Sequence, residues 1–156
     1  MKTGFRFSVL VAVILAVAAL GGCSTAIKGT AITYSYEPRA SFPELKTYRW
    51  AKATPTYRQD PLLEANVRFL ADRGLEAKGL TSKADKSDLL IWMGYEFDST
   101  SYSYGYELRA LTLNISRADT NELVWRGMAM GGIRTDAASG DLKTAVEGML
   151  VNFPPK

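Results

Sequence analysis

The chain has 156 residues, 19 basic and 16 acidic side chains, a net charge of +3, one cysteine and no histidine. Without histidine it cannot build a Ser-His-Asp triad, a Cys-His pair or a His-ligated zinc site from its own residues, and a single cysteine excludes an internal disulfide. Lys2 and Arg6 belong to a leader, so the remaining 134 residues carry 17 basic and 16 acidic groups, which gives no clustered basic face for nucleic acid.

The leader comes first in chain order. Lys2 and Arg6 precede twelve apolar or small residues, Val9 to Leu20, and Leu20-Gly21-Gly22-Cys23 follows. A basic start, an apolar stretch of about 7–15 residues and small residues before a cut are the parts of an export signal. Twelve residues fall short of the roughly 18–20 that span a bilayer. A cysteine directly after Leu-Gly-Gly reads as a bacterial lipoprotein signal: residues 1–22 are removed and Cys23 becomes the lipidated first residue. Two or more acyl chains anchor a protein stably where one does so only marginally. Ser24 follows the cysteine, where an aspartate would resemble an inner-membrane retention signal, so the expected location is the periplasmic face of the outer membrane. Residues 23–29 form the lipidated end and a short tether, and residues 30–156 a single domain.

Within the domain, Ile32, Tyr34 and Tyr36 alternate with Thr33 and Ser35, the period-2 pattern of a half-buried strand, which Glu37-Pro38 ends. Phe42-Pro43 and Leu45 mark a loop, and Thr47 to Ala51 is a second strand with Tyr48 and Trp50 on one face. Asp60-Pro61 opens a helix, the carboxylate capping free N–H groups and proline occupying the first helical position. Leu63, Val67, Leu70, Ala71 and Gly74 recur at helical spacing. Gly79 ends the helix in a left-handed cap that brings Leu80 onto Leu75, and Gly74 marks close packing against the sheet. Asp85 to Asp88 is a polar turn.

Leu89 to Phe97 fits a central strand, Glu107 to Arg117 a fourth, and Leu123 to Met130 a fifth after the turn Asp119-Thr120-Asn121-Glu122. Leu142, Ala145, Val146, Met149, Leu150 and Phe153 form the apolar stripe of a final helix, capped by Ser139 or Asp141 and stopped by Pro154-Pro155. The order ββαβββα predicts an α+β fold: one mostly antiparallel five-stranded sheet with two helices on one face.

At this point the chain resembles the bacterial lipoprotein family known as domain of unknown function 4136. The matching features are Tyr36-Glu37-Pro38 with Phe42, Thr47-Tyr48-Arg49-Trp50, Asp60-Pro61-Leu62-Leu63, Asp88-Leu89-Leu90-Ile91, Leu123-Val124-Trp125-Arg126-Gly127, and Ala145-Val146 with Phe153-Pro154-Pro155. In that family a glycine-rich loop often joins the third and fourth strands, where this chain has serine and tyrosine. The resemblance implies a one-domain envelope lipoprotein with no established activity.

For an interaction surface the residues point to Tyr102, Tyr104 and Tyr106. They share one strand parity in a Ser-Tyr-Gly stretch that offers aromatic area and adaptable hydrogen bonds to a peptide, a glycan or another envelope protein. The competing reading makes them rings that cover their own hairpin. Trp125 is expected buried beside an exposed Arg126. Glu96, Asp98, Glu107, Asp119 and Glu122 show no spacing that pairs a raised-pKa acid with an ionised partner. Asp119 to Glu122 lacks the alternating ligands and glycine of a calcium loop, and Gly127, Gly131 and Gly132 lack the phosphate-binding spacing. The expectation is therefore a non-enzymatic, membrane-anchored binding or scaffolding module, with no metal and no cofactor beyond the lipid on Cys23. An envelope hydrolase using carboxylate, tyrosine or serine groups is the alternative.

Overall fold

Six strands in one mixed sheet, with two helices on one of its faces, make up the computed structural model, which describes residues 29–52, 60–98 and 107–155. In chain order these are β1 (Ala31–Tyr36), a 3₁₀ turn (Phe42–Glu44), β2 (Thr47–Trp50), α1 (Pro61–Glu76), β3 (Thr81–Ser82), β4 (Leu89–Phe97), β5 (Glu107–Arg117), β6 (Leu123–Arg134) and α2 (Asp141–Leu150). The strands lie in the order β1-β6-β5-β4-β2-β3.

Across the sheet β1, β6, β5 and β4 pair antiparallel, in keeping with the mostly antiparallel expectation, but the sheet has six strands instead of five and is mixed. β2 runs parallel to β4 and to the two-residue β3. The cause is α1: a parallel pair needs a crossover of a dozen or more residues, and the helix between β2 and β4 supplies it. β3 is too short to leave a periodic trace in the sequence.

Helix α1 starts as its residues dictate. The Asp60 carboxylate accepts from the N–H groups of Leu62 and Leu63 at 3.1 and 3.0 Å, with proline at the first helical position. At the other end the Leu80 N–H donates to the Leu75 carbonyl at 3.1 Å and the Gly79 N–H to that of Glu76 at 2.9 Å, the paired bonds of a Schellman cap with Gly79 at φ +86°. Leu63, Val67, Ala71 and Leu75 form the buried stripe. Gly74 does pack closely, but against α2 and not the sheet: a Cβ there would stand 2.8 Å from Leu150 Cδ1.

Helix α2 buries Leu142, Ala145, Val146, Met149 and Leu150, and Phe153 beyond its end is buried too. Its cap differs from expectation. Gly140 takes the N-cap in a left-handed conformation without a side-chain cap bond, while Ser139 Oγ accepts from the Asp141 N–H and Asp141 pairs with Arg134 at 2.7 Å.

Register places Tyr48, Ile91, Ile115, Leu113, Leu111, Trp125 and Ala129 on the helix side of the sheet. All are fully or almost fully buried and, with the helix stripes, form one core. Trp125 meets Phe153 edge-on at 5.3 Å and Phe153 meets Phe42 at 5.9 Å, so the loop residue Phe42 belongs to that core. β1 departs from the half-buried prediction, since every residue in it is exposed. Its place at the sheet edge is the reason, for among the described residues only β6 flanks it.

Candidate functional site

Among the described residues nothing covers the sheet face opposite the helices, and there the strands build a shallow depression. Gly94, Ala110 and Thr112 line it together with Met128, Met130, Glu96 and Arg109, around a volume of about 580 Å³. Gly94 and Thr112 are cross-strand partners, as are Thr112 and Met128, so small side chains in the middle of the sheet make the floor. A Cβ at Gly94 would meet nothing within 4 Å, which leaves that space open. Met130, 48% exposed, rises at one side.

Arg109 reaches this face through an irregularity. Strict alternation from Leu111, Leu113 and Ile115 would turn it toward the helices, but the β4–β5 register passes from Glu96↔Ala110 to Phe97↔Leu108 and skips it. Leu108 takes the buried position instead, and the extra residue turns its side chain outward to pair with Glu96. At the far end of the same face Trp92 and Asn114 are paired across strands, and Arg126 Nε donates to Asn114 Oδ1 at 2.7 Å. Asn114 is thereby buried although it lies on the uncovered side.

A second polar group ties α1 to the sheet. Asp72 Oδ1 accepts from the Tyr48 hydroxyl and from Trp50 Nε1, each at 2.8 Å, and the Arg68 guanidinium lies over the Trp50 ring at 5.4 Å. One turn from the helix start, the Tyr95 hydroxyl donates to Glu64 at 3.0 Å and accepts from the Asp60 N–H at 2.8 Å. These are the tyrosine–carboxylate pairs that hydrolytic chemistry would draw on. Burial, then the neighbouring carboxylate, pushes the Tyr48 phenol far above its usual range, and burial also raises Tyr95. Both hydroxyls thus stay protonated, and their hydrogen bonds serve to seat the helix.

Cys23 and the row Tyr102, Tyr104 and Tyr106 lie outside the described residues. The ends of the strands flanking that row are joined, the Asp98 N–H donating to the Glu107 carbonyl at 2.8 Å. Trp125 is fully buried as expected, whereas Arg126 is half-buried because Asn114 holds it against the sheet. Asp119 is an exposed turn residue bonded to Arg117 at 3.2 Å. Among the described residues no three Cys, Asp or Glu side chains gather as metal ligands, and no helix is long and apolar enough to cross a membrane. The depression itself escaped the sequence reading. Its one signal, small residues at Gly94, Ala110 and Thr112 in successive apolar strands, acquires meaning only once the register sets them side by side.

Residues 32–155 match the profile of a family described as Domain of unknown function (DUF4136). Among solved structures, the chain is similar to a PDZ domain protein from Parabacteroides distasonis ATCC 8503, with TM-score 0.63 and 15% identity over 82% of this chain and 37% of that one. It is similar to a DUF4136 family protein from Bacteroides thetaiotaomicron VPI-5482, with TM-score 0.60 and 16% identity over 81% and 96% of the two chains. It is also similar to PelC from Paraburkholderia phytofirmans, a dodecamer, with TM-score 0.55 and 12% identity over 78% and 94%. The chain spans little more than a third of the PDZ domain protein. No curated protein matches it significantly. At these identities the likeness is one of fold.

Proposed function

We propose that this chain, which belongs to the DUF4136 family, is an envelope lipoprotein anchored through Cys23 whose domain binds a partner on the uncovered sheet face and catalyses no reaction. The anchor rests on Leu20-Gly21-Gly22-Cys23 behind its apolar stretch, and Ser24 favours the periplasmic face of the outer membrane. The observation that carries the binding role is the depression over Gly94, Ala110 and Thr112. Its floor is small and largely apolar, its charged pair Arg109 and Glu96 stands exposed, and the tyrosine–carboxylate pairs lie under α1 on the other side of the sheet. Such a surface suits an envelope protein, a peptide or a glycan laid across it, held by contact area with a few polar groups for orientation. That PelC, similar in fold, is a dodecamer is in keeping with a scaffold role.

Two experiments test this reading. Mass spectrometry of the mature protein is expected to find an acylated Cys23 as the first residue, and Cys23→Ser to leave unprocessed precursor; any other mature N-terminus refutes the anchor. Gly94→Leu fills the open space without touching the core, so it is expected to keep the unfolding midpoint while abolishing partner crosslinks in intact envelopes. Crosslinks that persist at full strength refute the site.

A further inference from the structure

The two edges of the sheet are unlike. One is β3, two residues long and followed by Lys83 and Lys86, the short and charged edge that resists pairing. The other is β1, Ala-Ile-Thr-Tyr-Ser-Tyr, which carries no charge and no proline, and all six of its residues are exposed. Among the described residues nothing covers or blunts this edge, and such an edge is a template for another strand.

Its hydrogen-bonding parity can be worked out. The Glu37 N–H donates to the Val124 carbonyl of β6, so along β1 the odd residues turn their peptide groups to β6 and the even ones turn theirs outward. The same alternation carried across the whole sheet from the far side, where the Ala51 N–H donates to the Ile91 carbonyl, arrives at the same parity. Ile32, Tyr34 and Tyr36 therefore hold the outward N–H and C=O groups. Their side chains also share one face: Tyr34 and Tyr36 stack at 6.5 Å with ring planes 12° apart, and they are 48% and 43% exposed.

We propose that β1 pairs with β1 of a second copy of this chain, antiparallel and with Tyr34 on the two-fold axis, joining two sheets into one. This register sets Ile32 opposite the partner's Tyr36 and Tyr34 opposite its own counterpart, so that every outward peptide group finds a mate and one face meets like face. Slipping by one residue would put Ile32 opposite a serine from the other face and leave the outward groups mismatched. In the proposed register Glu37 falls opposite Ala31 and no like charges meet. A closed two-fold contact uses one patch twice, and the blunted β3 edge leaves β1 as the edge able to pair. The pairing is independent of the lipid on Cys23.

The test uses the full chain in detergent or vesicles, with single cysteines added and the unaltered chain as the background for Cys23. In a hydrogen-bonded antiparallel pair opposite Cα atoms stand about 5.5 Å apart, within disulfide reach. Oxidation of Tyr34→Cys is expected to give a covalent dimer. Ile32→Cys alone is expected to give none, while a mixture of Ile32→Cys and Tyr36→Cys gives the mixed dimer. Tyr34→Lys, at an exposed position that preserves the fold, is expected to raise the dimer dissociation constant about tenfold in sedimentation equilibrium, through like charges on the axis. Equal crosslinking at positions 32 and 34, or an unchanged mass distribution for Tyr34→Lys, overturns the proposal. So does a Tyr34→Cys chain that crosslinks only to a different envelope protein, which would assign the edge to strand addition by that protein. A dimer band from the unaltered chain would instead reveal a free Cys23 thiol and bear on the anchor alone.

Discussion

Replacing Asp72 by alanine tests whether the buried polar group under α1 holds the helix to the sheet. The change removes one oxygen that accepts from both the Tyr48 hydroxyl and Trp50 Nε1 at 2.8 Å. Tyr48 is fully buried, and losing the carboxylate leaves its hydroxyl with Ser82 in place of a charged acceptor, a loss within the about 1–3 kcal/mol that an orphaned buried donor costs. Trp50 is half-buried and its N–H can turn to solvent, adding roughly 0.5 kcal/mol by the same reasoning. The total is about 1.5–3.5 kcal/mol, which for a domain of this length lowers Tm by roughly 5–13 °C. Urea unfolding of residues 30–156, followed by far-ultraviolet circular dichroism and by tryptophan fluorescence, measures it. Tyr48→Phe removes the group that Asp72→Ala strands, so the double variant is expected to be more stable than the sum of the two losses by about 1 kcal/mol or more. A loss below about 0.5 kcal/mol for Asp72→Ala, or strict additivity in the double variant, refutes the reasoning.

Asp88 accepts from the Thr47 hydroxyl at 2.7 Å and from the Thr47 and Lys46 N–H groups at 2.8 and 3.0 Å, and these bonds, the hydroxyl first, hold its carboxyl below the usual aspartate value. A group whose folded pKa is depressed contributes stability that is present above its unfolded value, about 3.9, and is lost as pH falls through the folded one. The denaturation midpoint is therefore expected to drop below pH 4, and the drop to be smaller in Asp88→Asn; an equal drop in both removes Asp88 as the cause. Gly127→Ala would set a Cβ 2.3 Å from Trp125 Cη2 and 3.0 Å from Met149 Cβ inside a closed core, so it is expected to destabilise by about 1–3 kcal/mol in the same unfolding assay. Serine at Tyr102, Tyr104 and Tyr106 is expected to leave Tm nearly unchanged while weakening envelope crosslinks, since interface aromatics often contribute about 1–2 kcal/mol each. A fall of many degrees with crosslinks intact would assign those rings to the domain's own packing.

Much of the local structure follows from the residues alone because its causes are local. The Asp60-Pro61 start, the Gly79 cap, the stripes of both helices and the full extent of β5 from Glu107 to Arg117 are readable from cap chemistry and periodicity, which act over a few neighbours. Family membership is readable too, since the ordered short motifs run through nearly the whole domain. What the tertiary structure decides are relations between distant segments. Periodicity carries no direction, so the parallel pairing of β2 with β4 appears only when α1 is seen to cross between them. Alternation within β1 marks a strand but cannot tell a half-buried position from an edge, and its neighbours on either side settle that. The bulge that turns Arg109 outward inverts the face its parity assigns, and the depression exists because Gly94, Ala110 and Thr112, far apart along the chain or on alternate positions, are brought side by side by register. Sequence patterns report which face a residue prefers; the sheet's order and register determine what stands beside it.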